Sequence, residues 1–300
     1  MASPLLLVPS DPLAPRVPDE HFMREADAAR QAGMKVAVVD HDALLGGDVR
    51  AAVRRIPASD GEQAACYRGW MMPFAAYSLL DAGLGTRGVR LLTDSAAYRS
   101  AHELPGWYNT FADLTPASVW SPWEAGRMPA IADVGALTRT LGGGPGVVKD
   151  YVKSRKYEWH EACFVPDLAD VTAATRVIGR MVELQGDDLA GGIVVRAFEQ
   201  FTQDGDGRSL EARIWWVAGS AVLITPHPDA PAGTTVDVPT AVCDAVGASV
   251  RTLGAPFVTT DLALRSDGVW RVIEVGDGQV SDLPAAEDPG RLMRALAAGC

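Results

Sequence analysis

The 300-residue sequence is poor in cysteine and has no long apolar run and no excess of basic residues. Its four cysteines are Cys66, Cys163, Cys243 and Cys300, which are scattered and form no CxxC pair. This scatter argues against a zinc site or a disulfide framework and suits the reducing cytosol. The last residue, Cys300, is expected to be exposed and is given no role.

Membrane and nucleic-acid functions are disfavoured by the same deficits. No stretch approaches the about 20 apolar residues that a membrane helix needs. The opening MASPLLLVPSDP has only four apolar residues in a row and no basic start, which is too short for a signal peptide. With 38 acidic and 27 basic residues, the formal net charge is -11, so no broad basic surface for nucleic acid is expected. We therefore expect a cytoplasmic protein that binds neither membrane nor nucleic acid, and no pattern indicates its oligomeric state.

The segments that are present alternate between strand and helix over the first hundred residues. PLLLV, MKVAVVD and VRLLTD are predicted strands, and such near-continuous apolar runs are typical of a parallel sheet covered by helices. A stretch rich in Pro and Trp, 103–123, is predicted to be a loop at a domain boundary. Beyond it, the predicted strands are 192–199, 210–217, 220–225, 256–264 and 269–275. The predicted helices are 167–185, 239–252 and 287–298.

Four cations crowd into VVKDYVKSRK, residues 147–156, of this acidic chain. If the segment is extended, alternation places Lys149, Tyr151 and Lys153 on one face. This pattern indicates a site for a small, highly charged anion.

The glycines just before this segment, in LGGGPG (141–146), do not form a Walker phosphate loop. That pattern needs Gly before the Lys and Ser or Thr after it, whereas Val148 and Asp150 flank Lys149. Two interpretations stay open: a helix stop followed by a turn, or a mobile flap over phosphates.

A hairpin near the C-terminus, TTDLALRSDGVWRVIEVGD, brings two carboxylates together. Asp267-Gly268 is predicted as a two-residue turn, and counting back from it places Asp261 opposite Glu274. Directly opposed like charges are destabilising, so they require a shared proton or, more favourably, a divalent cation such as Mg²⁺. Alternatively, both side chains point into solvent. Asp277 is a candidate for a further ligand.

Two arginines lie within apolar strands. In GGIVVRAFEQF, Arg196 shares a face with Val194 and Phe198, and a buried unpaired guanidinium is costly, so we expect it to meet an anion. In LEARIWW, Glu211 and Arg213 share a face. Arg213 either meets an anion too or forms an internal salt bridge with Glu211 or a neighbour.

A lysine, two strand arginines and an opposed carboxylate pair suit nucleoside-triphosphate chemistry without a P-loop. The chain resembles the ATP-grasp superfamily, most closely the clade named for two signature arginines and a lysine. The matching stretches are VVKDYVKSRKYEW, VVRAFE, EARIWWVAG, and TTDLAL with WRVIEVGDGQVS. CYRGWMM and SAAYRSAHELPGWY look like the N-terminal lobe, so the resemblance covers most of the chain.

The resemblance implies an ATP-grasp fold of mixed α/β and α+β class. Its N-terminal parallel-sheet domain would span 1–115 and its ATP-grasp domain 116–300. Within the second domain, a central lobe (about 125–198) and a C-terminal lobe (about 199–300) would sandwich ATP.

The resemblance also implies roles for individual residues. The implied nucleotide contacts are Lys149, Lys153, Phe198, Glu199 and Glu211. Lys149 would reach the α- and β-phosphates. Phe198 and Glu199 would lie at the adenine hinge, with Glu199 near the ribose.

Catalytic and metal roles are implied in the same way. Arg196 and Arg213 would act on the transferring phosphoryl group, and Asp261 and Glu274 would bind Mg²⁺. Many members of the superfamily have Asn two residues after the glutamate, where this sequence has Gly276. Either Asp277 or Gln279 is expected to replace that ligand, or a second Mg²⁺ is held less tightly.

These features favour an ATP-dependent carboxylate–amine ligase that forms an acyl phosphate and ADP. Its substrates would be a small-molecule carboxylate and an amine, such as an amino acid or peptide. The alternatives are a small-molecule kinase and a non-catalytic nucleotide-binding module. A set of residues near the domain boundary is expected either to line the acceptor pocket or to pack: Tyr67, Arg68, Trp70, His102, Trp107 and Tyr108.

Overall fold

The computed structural model of the protein describes residues 3–203, 207–231 and 233–300. The chain divides into two compact units, each built from segments that are distant in sequence. Unit 1 comprises Met1–Ala101, Glu211–Leu262 and Glu274–Cys300. Unit 2 comprises His102–Leu210 and Ala263–Ile273. The domain boundaries expected from the sequence stay a prediction.

Strands and helices alternate along the N-terminal part, and strands dominate later. The strands are β1 Leu5–Pro9, β2 Lys35–Val39, β3 Gln63–Tyr67, β4 Val89–Leu91, β5 Ser118–Pro122, β6 Gly146–Asp150, β7 Phe164–Val165, β8 Gly192–Ala197, β9 Glu211–Val217, β10 Ser220–Pro226, β11 Phe257–Leu264 and β12 Trp270–Asp277. The helices are α1 Met23–Gln31, α2 His41–Leu45, α3 Val49–Val53, α4 Phe74–Gly85, α5 Ser95–His102, α6 Leu104–Trp107, α7 Ile131–Thr138, α8 Val171–Gln185, α9 Thr240–Leu253 and α10 Gly290–Gly299.

Unit 1 contains the parallel sheet that the N-terminal apolar runs predict. Its strand order is β2-β1-β3-β4, and every neighbouring pair is parallel. All five residues of β1 are buried, because the central strand of such a sheet is covered on both faces. Leu5 and Leu7 pack into one apolar cluster and Leu6 and Val8 into another. The prediction of a parallel N-terminal sheet is confirmed.

A second sheet in unit 1 has the order β10-β9-β11-β12. Strands β9 and β10 form an antiparallel hairpin. Trp215 and Trp216, adjacent on β9, point to opposite faces, and both are buried. Trp216 donates its indole N–H to the Thr260 hydroxyl at 2.9 Å, which satisfies the polar end of the ring.

Unit 2 is built on an antiparallel sheet of order β5-β8-β6-β7. Helix α8 buries Val177, Ile178 and Met181 in the apolar cluster of this unit. The helix begins at Val171 rather than at the predicted 167, because the Asp170 carboxylate caps it by accepting the Ala173 N–H at 2.9 Å.

The stretch 103–123 is not the loop that its composition predicts. It contains α6, a 3₁₀ turn at Tyr108–Phe111 and strand β5. Strand β5 lies at the edge of its sheet and pairs only with β8, so Pro122 removes no ladder hydrogen bond on a second side. Trp107, one of the aromatic residues that suggested a loop, is 1% exposed.

Within the described ranges, no helix combines the length and apolar character needed to cross a membrane.

Candidate functional site

The basic segment of unit 2 is a strand only as far as Asp150, where β6 ends. One Asp150 oxygen accepts the backbone N–H groups of Val152 and Lys153 at 2.7 and 2.5 Å, which turns the chain. The other oxygen accepts the Gln185 amide at 2.7 Å. The predicted alternation beyond Asp150 is therefore wrong, and Tyr151 is buried while Lys153 is exposed.

Lys149 itself is held on β6 and is 9% exposed. Its ammonium group has no hydrogen bond or ion pair with any residue in the described part of the chain. Burial and, to a smaller extent, the positive charges of Lys149 and Lys153 together lower the pKa of His102 to about 4. Both lysines therefore lie close enough to act on the same imidazole. A buried ammonium of this kind needs a compensating anion.

The glycine-rich segment before β6 is a turn that follows α7. Gly142 and Gly144 have φ of +74° and +89°, which favours glycine at both positions. Gly144 donates to the Asp167 carboxylate at 2.8 Å, and its carbonyl accepts the Leu168 N–H at 2.8 Å. These bonds fit the interpretation of a helix stop followed by a turn.

Arg196 is buried on β8, as its apolar neighbours predict. Its guanidinium donates to the Ser118 hydroxyl at 3.0 Å and to the Ile273 carbonyl at 2.5 Å. The same group lies 5.7 Å from the centre of the Trp107 ring. These three contacts, with a hydroxyl, a carbonyl and an aromatic ring, hold the guanidinium in place on β8.

The predicted adenine hinge begins where β8 ends. Phe198 lies one residue beyond the strand, rather than within it as predicted, and is 37% exposed. Its ring meets that of Phe164 edge to face at 5.4 Å. Glu199 accepts two bonds from Arg271, at 3.0 and 3.1 Å, and Arg265 lies 3.4 Å away. Sequence reasoning missed Arg271, although an arginine in a strand is itself a signal that a carboxylate is near.

In unit 1, Arg213 forms an internal salt bridge, one of its two predicted alternatives. Its partner is Asp261, with Nε–Oδ1 of 2.7 Å and Nη2–Oδ2 of 2.8 Å. Burial lowers the pKa of Arg213, but the charges of Asp261, Glu274 and Asp282 outweigh burial and raise it. The predicted metal ligand Asp261 is thus held by one predicted catalytic arginine. Glu211, expected near the nucleotide, lies half-buried at the start of β9.

A histidine that sequence reasoning missed lies beside this pair. His227 follows the last residue of β10, and its Nε2 is 3.7 Å from the second oxygen of Asp261. Its Nδ1 accepts the Asp229 backbone N–H at 3.2 Å. A histidine between two prolines carries no periodic pattern, so nothing in the sequence signalled it.

The turn between β11 and β12 is one residue longer than predicted. The Arg265 carbonyl accepts the Gly268 N–H at 2.9 Å, and the Arg265 N–H donates to the Val269 carbonyl at 2.8 Å. Arg265 therefore pairs with Val269 and not with Trp270. Gly268 has φ of +87°, and Asp267 accepts the Val269 N–H at 3.2 Å. A three-residue loop with glycine in the left-handed region is a common hairpin alternative.

Because Arg265 pairs with Val269, counting back from the turn no longer places Asp261 directly opposite Glu274, and that pairing stays a prediction. Further from the turn, a contact between β11 and β12 puts the two predicted metal carboxylates on one face of the sheet. A Cβ added to Gly276 would lie 3.0 Å from the Thr259 hydroxyl, so these two residues are neighbours on β12 and β11. Side chains two residues apart on a strand share a face, which puts Asp261 with Thr259 and Glu274 with Gly276. Glu274 is half-buried and forms no hydrogen bond or ion pair with a residue that the structure describes.

Asp277 and Gln279 are committed to a different, buried network. One Asp277 oxygen accepts the backbone and amide N–H groups of Gln279 at 2.9 and 3.1 Å. Gln279 also donates to the Tyr77 hydroxyl at 2.6 Å and accepts the Tyr67 N–H at 3.1 Å. Burial raises the pKa of Asp277 to about 7. Because it lies three residues after Glu274, Asp277 points to the opposite side of β12.

No group of three or more His, Cys, Asp and Glu side chains converges as a metal-binding cluster in the described ranges. Beside Gly276, the hydroxyls of Thr259 and Ser281 lie 2.7 Å apart. Oxygen donors are therefore present where the superfamily pattern has its Asn.

Three of the six residues expected at the acceptor pocket or in packing are buried in packing. Tyr67, Arg68 and Trp107 are at most 1% exposed. Trp70 is 37% exposed and lies against the His21 ring at 4.6 Å. Cys300, expected to be exposed, is half-buried against an apolar cluster.

Solved structures of other proteins share this fold over nearly the whole chain. D-cycloserine synthetase DcsG is 19% identical, with a TM-score of 0.65 over 98% of this chain and 99% of that one. The RimK domain protein ATP-grasp from Sphaerobacter thermophilus is 16% identical, with a TM-score of 0.62 over 99% and 98%. ATP-grasp ligase PsnB, complexed with minimal precursor, Mg and ADP, is 13% identical, with a TM-score of 0.56 over 98% and 97%.

No curated protein sequence matches the chain significantly. A family model does match over residues 140–296: the ATP-grasp domain, family 3 of the clade named for two arginines and a lysine. This span is just over half of the chain. It includes the lysine strand, both arginine strands and both carboxylate strands, so the resemblance found in the sequence is confirmed. The chain belongs to family 3 of this two-arginine, one-lysine clade of ATP-grasp domains.

Proposed function

We propose that the protein is an ATP-dependent carboxylate–amine ligase. In the first step, a substrate carboxylate oxygen attacks the γ-phosphorus of ATP, and the bond to the β-phosphate oxygen breaks to give an acyl phosphate and ADP. In the second, an amine attacks the acyl carbon, phosphate leaves, and the amine loses a proton as the amide forms. No covalent enzyme nucleophile is needed, so catalysis rests on positioning and charge.

The observation that carries this proposal is the buried Lys149 ammonium, which has no anionic partner among the residues described. An isolated buried charge is too costly to be structural, so its partner is expected to be a ligand. In an ATP-grasp chain that ligand is the triphosphate. Lys153, close enough to act on the same His102, adds a second charge for the phosphates.

The carboxylates of unit 1 fit Mg²⁺. Glu274 is half-buried, forms no hydrogen bond or ion pair in the described ranges, and shares a face with Asp261. Each carboxylate oxygen has two lone pairs, so the bidentate bond to Arg213 leaves Asp261 with acceptor capacity. Asp261 and Glu274 would hold the ion, which when bound neutralises charge on the phosphate oxygens. Thr259 and Ser281, rather than Asp277 or Gln279, would complete its coordination or bind its waters.

The two arginines would act on the charge that develops during phosphoryl transfer. Arg213 presents a planar fork already held in place by Asp261, so little side-chain entropy is lost when it binds phosphate. Arg196 is held by the Ser118 hydroxyl and the Ile273 carbonyl in the same way. Phe198 and Glu199 are proposed to contact the nucleoside, and Glu211 to assist.

The acceptor is proposed to be an amino acid or peptide amine. The related solved structures include a D-cycloserine synthetase and a ligase bound to a precursor, and each is similar to this chain over nearly its whole length. This likeness supports amide formation over simple phosphate transfer to a hydroxyl group.

The test is ADP release from ATP and Mg²⁺, measured with pooled amino acids and with each pool lacking one member. A ligase forms products whose masses equal the acid plus the amine minus water, and its ADP release depends on both. Lys149→Ala should raise the apparent KM for ATP and lower kcat. Lys35→Ala, an exposed lysine of unit 1, is the matched control and should change neither.

ADP release that needs only one substrate, with a phosphorylated product that survives added amine, would identify a kinase instead. ATP binding without turnover under every substrate pool would refute the enzyme assignment.

A further inference from the structure

A basic cavity lies at the free edge of the parallel sheet of unit 1. It has a volume of about 660 Å³, and it is bordered by β2, the terminal strand of the order β2-β1-β3-β4. Four of the described residues that line it are cationic and none is acidic: Arg16, Arg30, Lys35 and Arg55. In a chain of net charge -11, such a local reversal of sign points to a ligand of negative charge.

Only part of this positive charge is compensated. Arg30 is paired with Asp27 at 2.6 Å, and Arg55 lies 3.5 Å from Asp40. The side chains of Arg16 and Lys35 form no ion pair with any residue described in the structure. Both are exposed, so they are available to a partner in solution.

The backbone of β2 also faces this cavity. The Lys35 N–H donates to the Pro4 carbonyl, and the Val39 carbonyl accepts the Ser10 N–H. The backbone groups of the odd-numbered residues of β2 therefore point towards β1. Backbone groups alternate in direction along a strand, which turns those of Val36 and Val38 outwards. Both valines line the cavity, and β2 has no second strand neighbour in the described sheet.

We propose that this edge docks an extended acidic peptide segment as an added strand beside β2. The outward N–H and C=O groups of Val36 and Val38 would pair with the peptide backbone, and Arg16 and Lys35 would pair with its carboxylates. Lysine alone at a strand edge is a common protection against aggregation, but that role requires no cavity of this size.

A second copy of the chain is not the occupant that the charges favour. Pairing of two β2 edges would bring Lys35 and its neighbouring arginines of both copies together, and like charges across paired strands are destabilising. An acidic segment offers the complementary charge. The site is independent of the proposed nucleotide chemistry, because none of its residues has a role there.

The test uses a fluorescein-labelled eight-residue peptide of alternating Glu and Val, with binding to the full chain followed by fluorescence anisotropy. A second probe replaces one central Val with Pro. This probe keeps every charge but lacks one backbone donor, so it separates strand pairing from charge attraction alone. We expect saturable binding that weakens with added salt and at least about tenfold with the proline probe.

Charge reversal on the protein locates the site. The double variant Arg16→Glu/Lys35→Glu should weaken binding of the Glu-Val probe about tenfold or more. Arg50→Glu, an exposed arginine of α3 outside the cavity lining, is the matched control and should leave affinity within about twofold. Circular dichroism and ADP release should be unchanged in each variant, which shows that the fold and the nucleotide chemistry are intact.

Three results would overturn the proposal. Equal affinity for the Val and Pro probes would indicate a non-specific anion site without strand pairing. Equal loss of affinity in the double variant and in Arg50→Glu would place the site elsewhere. If the protein sediments as a dimer, if Val36→Pro dissociates that dimer, and if the peptide does not compete with dimer formation, the edge is a contact between copies of the chain.

Discussion

The ion pair between Glu25 and Arg68 should carry an unusually large share of the stability of unit 1. Its side chains are 9% and 1% exposed, and two hydrogen bonds join them at 2.6 and 2.8 Å. Burial lowers the pKa of Arg68, but the charge and hydrogen bonds of Glu25 outweigh burial and raise it. Arg68 also donates to the carbonyls of Gly278 and Ser281, in the segment that directly follows β12.

Removing one charge of such a pair leaves the other buried and uncompensated. Glu25→Gln keeps the shape of the side chain and one acceptor but removes the negative charge. Loss of one partner from a buried pair typically costs about 3–5 kcal/mol, a large part of the about 5–15 kcal/mol by which proteins are stable. The rings of Trp215 and Phe257, at 5.3 and 6.0 Å from the guanidinium, offset little of this loss.

Urea unfolding followed by far-UV circular dichroism measures the free energy of unfolding. Glu62→Gln is the matched control, because Glu62 makes an exposed ion pair with Arg90 at 2.8 Å, with side chains 68% and 57% exposed. That control should cost less than about 1 kcal/mol. If both substitutions cost the same, the buried pair does not stabilise unit 1 as reasoned. The double variant Glu25→Leu/Arg68→Met should recover part of the loss, since it leaves no buried charge.

Three further predictions concern the candidate site. Asp261→Asn should lower the free energy of unfolding in urea by about 3–5 kcal/mol, because it leaves Arg213 without its carboxylate. Glu274→Gln should unfold like the wild type, because Glu274 forms no ion pair with a described residue, but it should require more Mg²⁺ for ADP release. Arg196→Lys should lower kcat by about 10²–10³ with little change in ATP affinity by calorimetry; loss of ATP affinity with normal kcat at saturation would contradict its role. The Asp277 pKa is raised from 3.8 to about 7, so between these pH values Asp277 is ionised in the unfolded chain and protonated in the folded one, and the free energy of unfolding falls as pH rises. Asp277→Asn should reduce this pH dependence, measured by urea unfolding at a series of pH values. An unchanged dependence would show that Asp277 ionises normally.

The fold was predictable where the pattern of apolar residues determines the secondary structure. It was less predictable where a single side chain determines it. The runs in β1 and β2 predict buried parallel strands, because few other elements are apolar on both faces. The end of β6 was missed because one carboxylate, that of Asp150, bonds two backbone N–H groups and turns the chain. Such a turn leaves no trace in alternation. Strand β5 was missed because a stretch of tryptophan, serine and proline is typical of a loop, although an edge strand tolerates all three residue types.

In the candidate site, the charged residues within strands were predictable from the sequence, but the residues that they contact were not. Lys149, Arg196 and Arg213 stand out in the sequence because a charge inside an apolar strand needs an explanation. Their partners do not stand out, since pairing depends on which strands become neighbours. Arg271 reaches Glu199 across 72 positions of sequence, and His227 reaches Asp261 across a sheet.

Two carboxylates on one face of neighbouring strands need a positive group, and the structure supplies Arg213, for which the sequence left open an anion or an internal salt bridge. Arg213 binds both oxygens of Asp261, so the like-charge repulsion with Glu274 is offset before any metal arrives. The two carboxylates therefore cannot be equivalent. Asp261 is tied into the fold by a buried guanidinium, while Glu274 has no such tie among the residues described. A metal ion that binds here would meet one carboxylate already held in place and one free to adjust. A site of this kind can be stable when empty and still bind Mg²⁺ together with the phosphates.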